Sequence, residues 1–206
     1  PFREKLDYFR DYYLKTTIVA VVVIVFVAYL AYTMLTAPSD TAFAAFFFND
    51  TGDSSNTELI DGFIEYMNID TGEHDAYIDA TMNLDLSGAE YDAYMSLEKS
   101  MAVISTGELD VITGDTATMD YFAKGECLHD ITTVLPDDLL AQFEDRLYYA
   151  KYGETGELVP VGVYVTDAPK LNQYYYYVDR EPILGFVINS NSMNNAIAFL
   201  RYIYIE

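Results

Sequence analysis

Of 206 residues, 51% are apolar, so the chain has enough hydrophobic material for a packed core and is not a disordered segment. Eleven Lys and Arg stand against 33 Asp and Glu, a net charge of −22 that excludes nucleic acid and anionic lipid headgroups as partners of its surface. A single cysteine, Cys127, excludes an intrachain disulfide.

The first element in chain order is Ile18 to Leu35 (IVAVVVIVFVAYLAYTML), which carries no charge. At about 1.5 Å per residue a helix of this length reaches roughly 27 Å, close to the hydrocarbon thickness of a bilayer. Tyr12, Tyr13, Tyr29 and Tyr32 fall where aromatic rings sit at the water interface. Arg3, Lys5, Arg10 and Lys15 precede the run, whereas Asp40, Asp50 and Asp53 are the first charges after it. The positive-inside rule then predicts residues 1–15 in the cytoplasm, a transmembrane helix over 16–36 contacting lipid through 18–35, and an extracytoplasmic domain over 37–206. A cleaved signal peptide fits less well. The run exceeds a signal h-region, and its one cleavage-like site, Leu35-Thr36-Ala37, is followed by Pro38. A buried core helix would not need the basic and aromatic flanks. No lipid-attachment cysteine follows the run.

Beyond the span lie 7 basic and 30 acidic residues, a net charge of −23, which favours cationic or neutral partners and solubility. Ala42 to Phe48 (AFAAFFF) is a continuous apolar run, as expected of a strand buried on both faces. Ser55-Asn56-Thr57-Glu58 reads as a capping box before a helix with Leu59, Ile60, Phe63, Ile64 and Met67 at helical spacing. The same loop, Asn49 to Glu58, has Asp50, Asp53, Ser55 and Glu58 at spacings that resemble a calcium loop, with its glycine misplaced. From Ala76 to Leu86 apolar and polar residues alternate, which predicts an edge strand with one wet face. Ser87-Gly88-Ala89-Glu90 is a second capping box, and Tyr91, Tyr94, Leu97, Met101 and Ile104 form the stripe of a helix stopped by Gly107.

Leu109 to Thr113 is a short strand, and Asp115 caps a helix from Thr116 to Lys124 that ends at Gly125. Leu158 to Thr166 and Ile183 to Ile188 are further strands, and Ser192 caps a last helix with Ile197, Leu200 and Ile203 or Tyr204 inside. Strands alternating with helices predict an α/β domain, a mostly parallel sheet with helices on both faces. Ligands of such sheets bind beyond the carboxyl ends of the strands, here Asn49, Asp50, Gly114, Asp115 and Thr116, with Tyr121 nearby. Tyr174, Tyr175, Tyr176 and Tyr177 are four consecutive aromatics that cannot all face one core, and they are candidates for partner contact.

Gly107, Leu109-Asp110-Val111-Ile112, Asp115, Phe122, Gly125 and the run Leu128-His129-Asp130-Ile131 through Leu135-Pro136 resemble the first lobe of bacterial extracellular solute-binding proteins of the type 2 periplasmic class. The tail Asn194-Asn195-Ala196-Ile197-Ala198-Phe199-Leu200 is similar to the helix that closes that lobe. The resemblance implies a single-lobed, membrane-anchored relative of ABC-transporter solute-binding proteins, with the second lobe of the clamshell missing. Two functions follow: capture of a neutral or cationic solute, presented to a transporter, or docking to an envelope protein by a lobe that has lost its solute.

Enzymatic readings are weaker. His74 and His129 lack zinc-helix spacing, no G-x-S-x-G elbow occurs, and Cys127 reads as a buried side chain with no base beside it. Acid pairs such as Asp137 and Asp138 are too common in this chain to single out. The expectation is a binding protein with no cofactor and no resident metal.

Overall fold

The computed structural model describes residues 14–36, 40–84, 91–175, 177 and 181–205. It divides into two units, residues 1–39 and 40–206. In the first, α1 (Leu14–Thr36) is one helix whose side chains from Leu14 to Tyr32 are exposed, and it is long and apolar enough to cross a membrane. Its Val- and Ile-rich sequence is a modest helix former in water. In hydrocarbon a helix satisfies every backbone group internally, so the same residues favour it.

The second unit runs β1 (Asp40–Phe48), α2 (Glu58–Met67), β2 (His74–Met82), α3 (Tyr91–Thr106), β3 (Val111–Gly114), α4 (Thr116–Lys124), α5 (Ile131–Val134), α6 (Asp137–Phe143), β4 (Leu147–Tyr152), β5 (Glu157–Tyr164), α7 (Pro169–Tyr174), β6 (Ile183–Phe186) and α8 (Met193–Tyr202). One six-stranded sheet in the order β2-β1-β3-β6-β5-β4 forms its centre. β1 is parallel to β2 and to β3, whereas the β3–β6, β6–β5 and β5–β4 ladders are antiparallel. The sheet is therefore mixed. The parallel expectation holds for its first half, and the rest is turned by two connections. A tight turn through Gly153 and Gly156 folds β4 onto β5, and β6 returns to insert between β3 and β5.

Helices cover both faces, as β1 dictates. Phe43, Ala45 and Phe47 point into a core built with Leu59, Phe63, Phe143, Leu171 and Phe199, while Ala44, Phe46 and Phe48 point into another with Ile104, Met119 and Phe122. Residues 43–48 are all fully buried, which is why the run shows no alternation.

Local expectations are corrected at several points. α2 begins at Glu58, and Ser55 does not cap it; the Asn56 carboxamide accepts from Glu58 N (2.8 Å), while Ser55 donates to Asp53. α3 buries Ala93, Ser96, Ser100 and Ile104, leaving Tyr91, Tyr94 and Met101 exposed. Small residues face the sheet, and Ser96 Oγ accepts from Asn83 N (3.1 Å) to bind the helix to the end of β2. β2 lies at the sheet edge, as alternation predicts, but ends at Met82; residues 85–90, with the second capping box, lie outside the described residues. α4 does end at Gly125, yet the left-handed residue is Glu126 (φ 55), with Cys127 N donating to Phe122 O (2.9 Å). His74 opens β2.

Gly107 takes the left-handed conformation (φ 77), and Glu108 N donates to Val103 O (3.3 Å) to close α3. A Cβ there would meet Asn189 O at 2.7 Å. Gly107→Val is expected to cost about 1 to 3 kcal/mol, read as a lower urea midpoint at unchanged slope.

Candidate functional site

β1 and β3 are parallel neighbours, so their carboxyl ends lie side by side, and the two residues that follow them carry the local chemistry. Asn49, just past β1, adopts a left-handed backbone (φ 58) that asparagine tolerates better than most side chains. Its amide donates to Met82 O (2.9 Å) and its side-chain oxygen accepts from Leu84 N (2.9 Å). Its Nδ2 reaches Asp115 Oδ2 and Thr118 Oγ1, each at 3.4 Å. Asn49 thus ties the end of β2 to the start of α4.

Asp115 caps α4: Oδ1 accepts from Thr118 N (3.0 Å) and from Thr118 Oγ1 (2.8 Å). Its charge also complements the positive end of the helix. Gly114 permits the close fit, since a Cβ there would lie 2.8 Å from Thr118 Cγ2. Asp115→Ala is expected to lose about 0.5 to 2 kcal/mol of stability, whereas Asp115→Asn, which keeps a capping oxygen, stays close to wild type. Thermal unfolding of both variants checks this.

Asp50 accepts from Gly52 N (3.1 Å) in a local turn, and with Asn49, Thr51, Ser54 and the end of β2 it lines an open hollow of about 430 Å³. Thr116, the first residue of α4, is exposed and does not line this hollow. Tyr121 stands six residues along α4 from the cap, roughly 9 Å on the axis, with its ring edge-on to Phe122 (5.5 Å).

Of the tyrosine run, Tyr175 is buried, and Tyr174 and Tyr177 are partly buried. Tyr175 is 4% exposed and lies edge-on to Phe47 (4.6 Å), and Tyr174 and Tyr177 pack against the same core; Tyr176 lies outside the described residues. This brings to the strand ends two hydroxyls, Thr113, which the sequence did not single out, and Tyr177, which it offered only as a partner contact. Thr113, the residue before Gly114, is fully buried opposite Phe47, and its Oγ1 has no hydrogen-bond partner among the described residues. Tyr177 OH is likewise buried without a partner. Burial pushes the Tyr177 phenol well above its ordinary value, and the negative charges of Asp50 and Asp115 add to the shift. Burial and Asp50 push Tyr175 up to about 12. Two neutral buried hydroxyls therefore stand near the strand ends, within the field of two acids.

No three His, Cys, Asp or Glu side chains gather to hold a metal among the described residues. In the 49–58 loop, Asp50 and Asp53 each close a local turn. Cys127 is buried beside Met119 and Phe122, and burial pushes its thiol up, away from the thiolate a nucleophile needs. Burial pulls the His129 imidazole below its ordinary value.

No family model matches the chain, and neither curated proteins nor solved structures provide a match.

Proposed function

We propose that the chain is a membrane-anchored binding module whose single α/β lobe, held outside the cytoplasm by α1, takes a small neutral or cationic solute at the carboxyl ends of β1 and β3. The observation that carries this reading is the pair of buried hydroxyls, Thr113 Oγ1 and Tyr177 OH, without partners among the described residues. Leaving a buried polar group unsatisfied costs about 1 to 3 kcal/mol, which a solute hydroxyl, carbonyl or ammonium would recover. Asp50 and Asp115 repel an anion from the same place.

The reading takes up the resemblance of the tail to the lobe-closing helix of solute-binding proteins. Asn195 Nδ2 donates to Ala42 O (2.7 Å), so α8 closes back on β1 as the resemblance implies for a lobe-closing helix. Orientation rests on the basic residues before α1. A cysteine placed at Thr155, in the exposed β4–β5 turn, should be labelled on intact cells, and one at Leu6 only after permeabilisation; buried Cys127 stays silent. The reverse pattern contradicts the orientation.

Binding is tested by thermal shift of the full chain in nanodiscs against sugars, amino acids, polyamines and calcium. A saturable rise with one neutral or cationic organic class supports the module. A rise with calcium alone favours the loop at 49–58, and silence favours a lobe that has lost its solute.

A further inference from the structure

β4 ends the sheet, so backbone groups on the outer edge of Leu147–Tyr152 have no strand to pair with among the described residues. Such an edge is a template for another chain unless it is blocked. A pocket of about 550 Å³ runs along it, lined by the consecutive strand residues Tyr148 to Lys151, by Asp120 and Lys124 of α4, and by Leu158 across the hairpin. Four successive residues of one strand alternate between its two faces, so a pocket touching all of them follows the strand's edge.

The charges around this edge are unusual for the domain. Among its described basic residues, Lys99, Arg146 and Arg201 pair with Asp79, Asp167 and Asp138, and Lys170 lies over the Tyr202 ring. Lys124 and Lys151 alone among them have neither an acidic nor an aromatic partner, and both line this pocket. The acid beside them, Asp120, is occupied by Tyr148 OH (2.8 Å). Tyr149 and Leu158 add apolar surface, 52% and 63% exposed. In a domain of net charge −23, these two unmatched cations meet where backbone pairing is open.

We propose that the edge of β4 docks an extended peptide segment rich in Asp and Glu, added to the sheet as a seventh strand, with Lys124 and Lys151 matching its carboxylates and Tyr149 and Leu158 covering its apolar side chains. Strand addition supplies main-chain hydrogen bonds, and the flanking side chains supply selectivity. Lysine on the edge repels a basic strand. The site lies apart from the strand ends of β1 and β3 and stands or falls separately from solute binding there.

The probe is a fluorescein-labelled peptide of alternating Glu and Val, seven residues long, titrated by anisotropy at low salt onto the full chain in phosphatidylcholine nanodiscs. Saturable binding is expected, with the alternating Lys and Val peptide at least about tenfold weaker. The double variant Lys124→Glu, Lys151→Glu is expected to lose roughly tenfold in affinity while its thermal unfolding stays unchanged, since both side chains are exposed and unpaired. A probe N-methylated at alternate amides is expected to lose a similar factor, because it cannot complete the ladder. Several results would overturn the proposal: no binding by wild type, equal binding of the basic peptide, indifference to the charge reversal, or full binding of the N-methylated probe, which would mean charge attraction only. Dimerisation of the chain through β4 in place of peptide binding would make a second copy the occupant and overturn it as well.

Discussion

Asp110→Ala is expected to cost the domain about 3 to 5 kcal/mol, the largest loss of any single substitution considered for this protein. The carboxyl is 1% exposed just before β3, where it joins three parts of the fold. Its Oδ2 accepts from Ala44 N (2.9 Å) in the centre of β1 and its Oδ1 accepts from Ser190 Oγ (2.5 Å), which in turn accepts from the Ser192 amide ahead of α8 (3.1 Å). Truncation strands these donors in the interior, at about 1 to 3 kcal/mol each before relaxation.

The same residue carries the clearest pH signature. Burial outweighs its hydrogen bonds and pushes the carboxyl up from 3.8 to about 6, so the native state holds this proton more tightly than the unfolded chain. The stabilisation is fully present below about pH 4 and is lost as pH rises to 6 and beyond, a change on the order of 3 kcal/mol. Asp110→Asn keeps an acceptor for Ala44 N and cannot titrate. Urea unfolding of both proteins from pH 4 to 7 should show wild type losing stability relative to Asp110→Asn as pH rises. A constant difference would contradict the assignment.

Removing the two stranded hydroxyls should do the opposite of ordinary core mutation. Thr113→Val and Tyr177→Phe each delete a buried polar atom that has no partner among the described residues, at nearly constant volume. Together they are expected to raise the unfolding free energy of the free protein by about 2 to 4 kcal/mol. A gain of this sign is common where a protein keeps groups for binding that its own fold does not satisfy. If the double variant is instead less stable, Thr113 and Tyr177 find partners in the folded protein and the site reading fails.

Most of the architecture is legible in the sequence because burial and capping act locally. The all-apolar Phe43 to Phe48, the left-handed Gly107 and the Asp115 cap each appear as read, since a few neighbouring residues determine them. What escaped depends on distant chain. β4 (Leu147–Tyr152) is half-exposed at the sheet edge, so its alternation is blurred, and α5, α6 and α7 are too short to show a period. The wet stripe of α3 misled because large apolar residues usually mark the inner face, whereas close approach to the sheet here selects Ala93, Ser96 and Ser100. At the site, Asn49 and Asp115 were readable from their places after strands. Thr113 was not, and Tyr177 was readable only as a member of an aromatic run, because an unmet hydroxyl is a property of the assembled interior and no spacing announces it.

The central claim is that the strand ends of β1 and β3 hold a solute through Thr113 and Tyr177. Its most direct test is calorimetric titration of wild type and of the Thr113→Val, Tyr177→Phe double variant, each full-length in nanodiscs, with the neutral or cationic compound that gives the largest thermal shift. The account predicts one site per chain in wild type and a loss of affinity of at least about tenfold in a variant that is itself the more stable protein. Undiminished binding by that stabilised variant would contradict it.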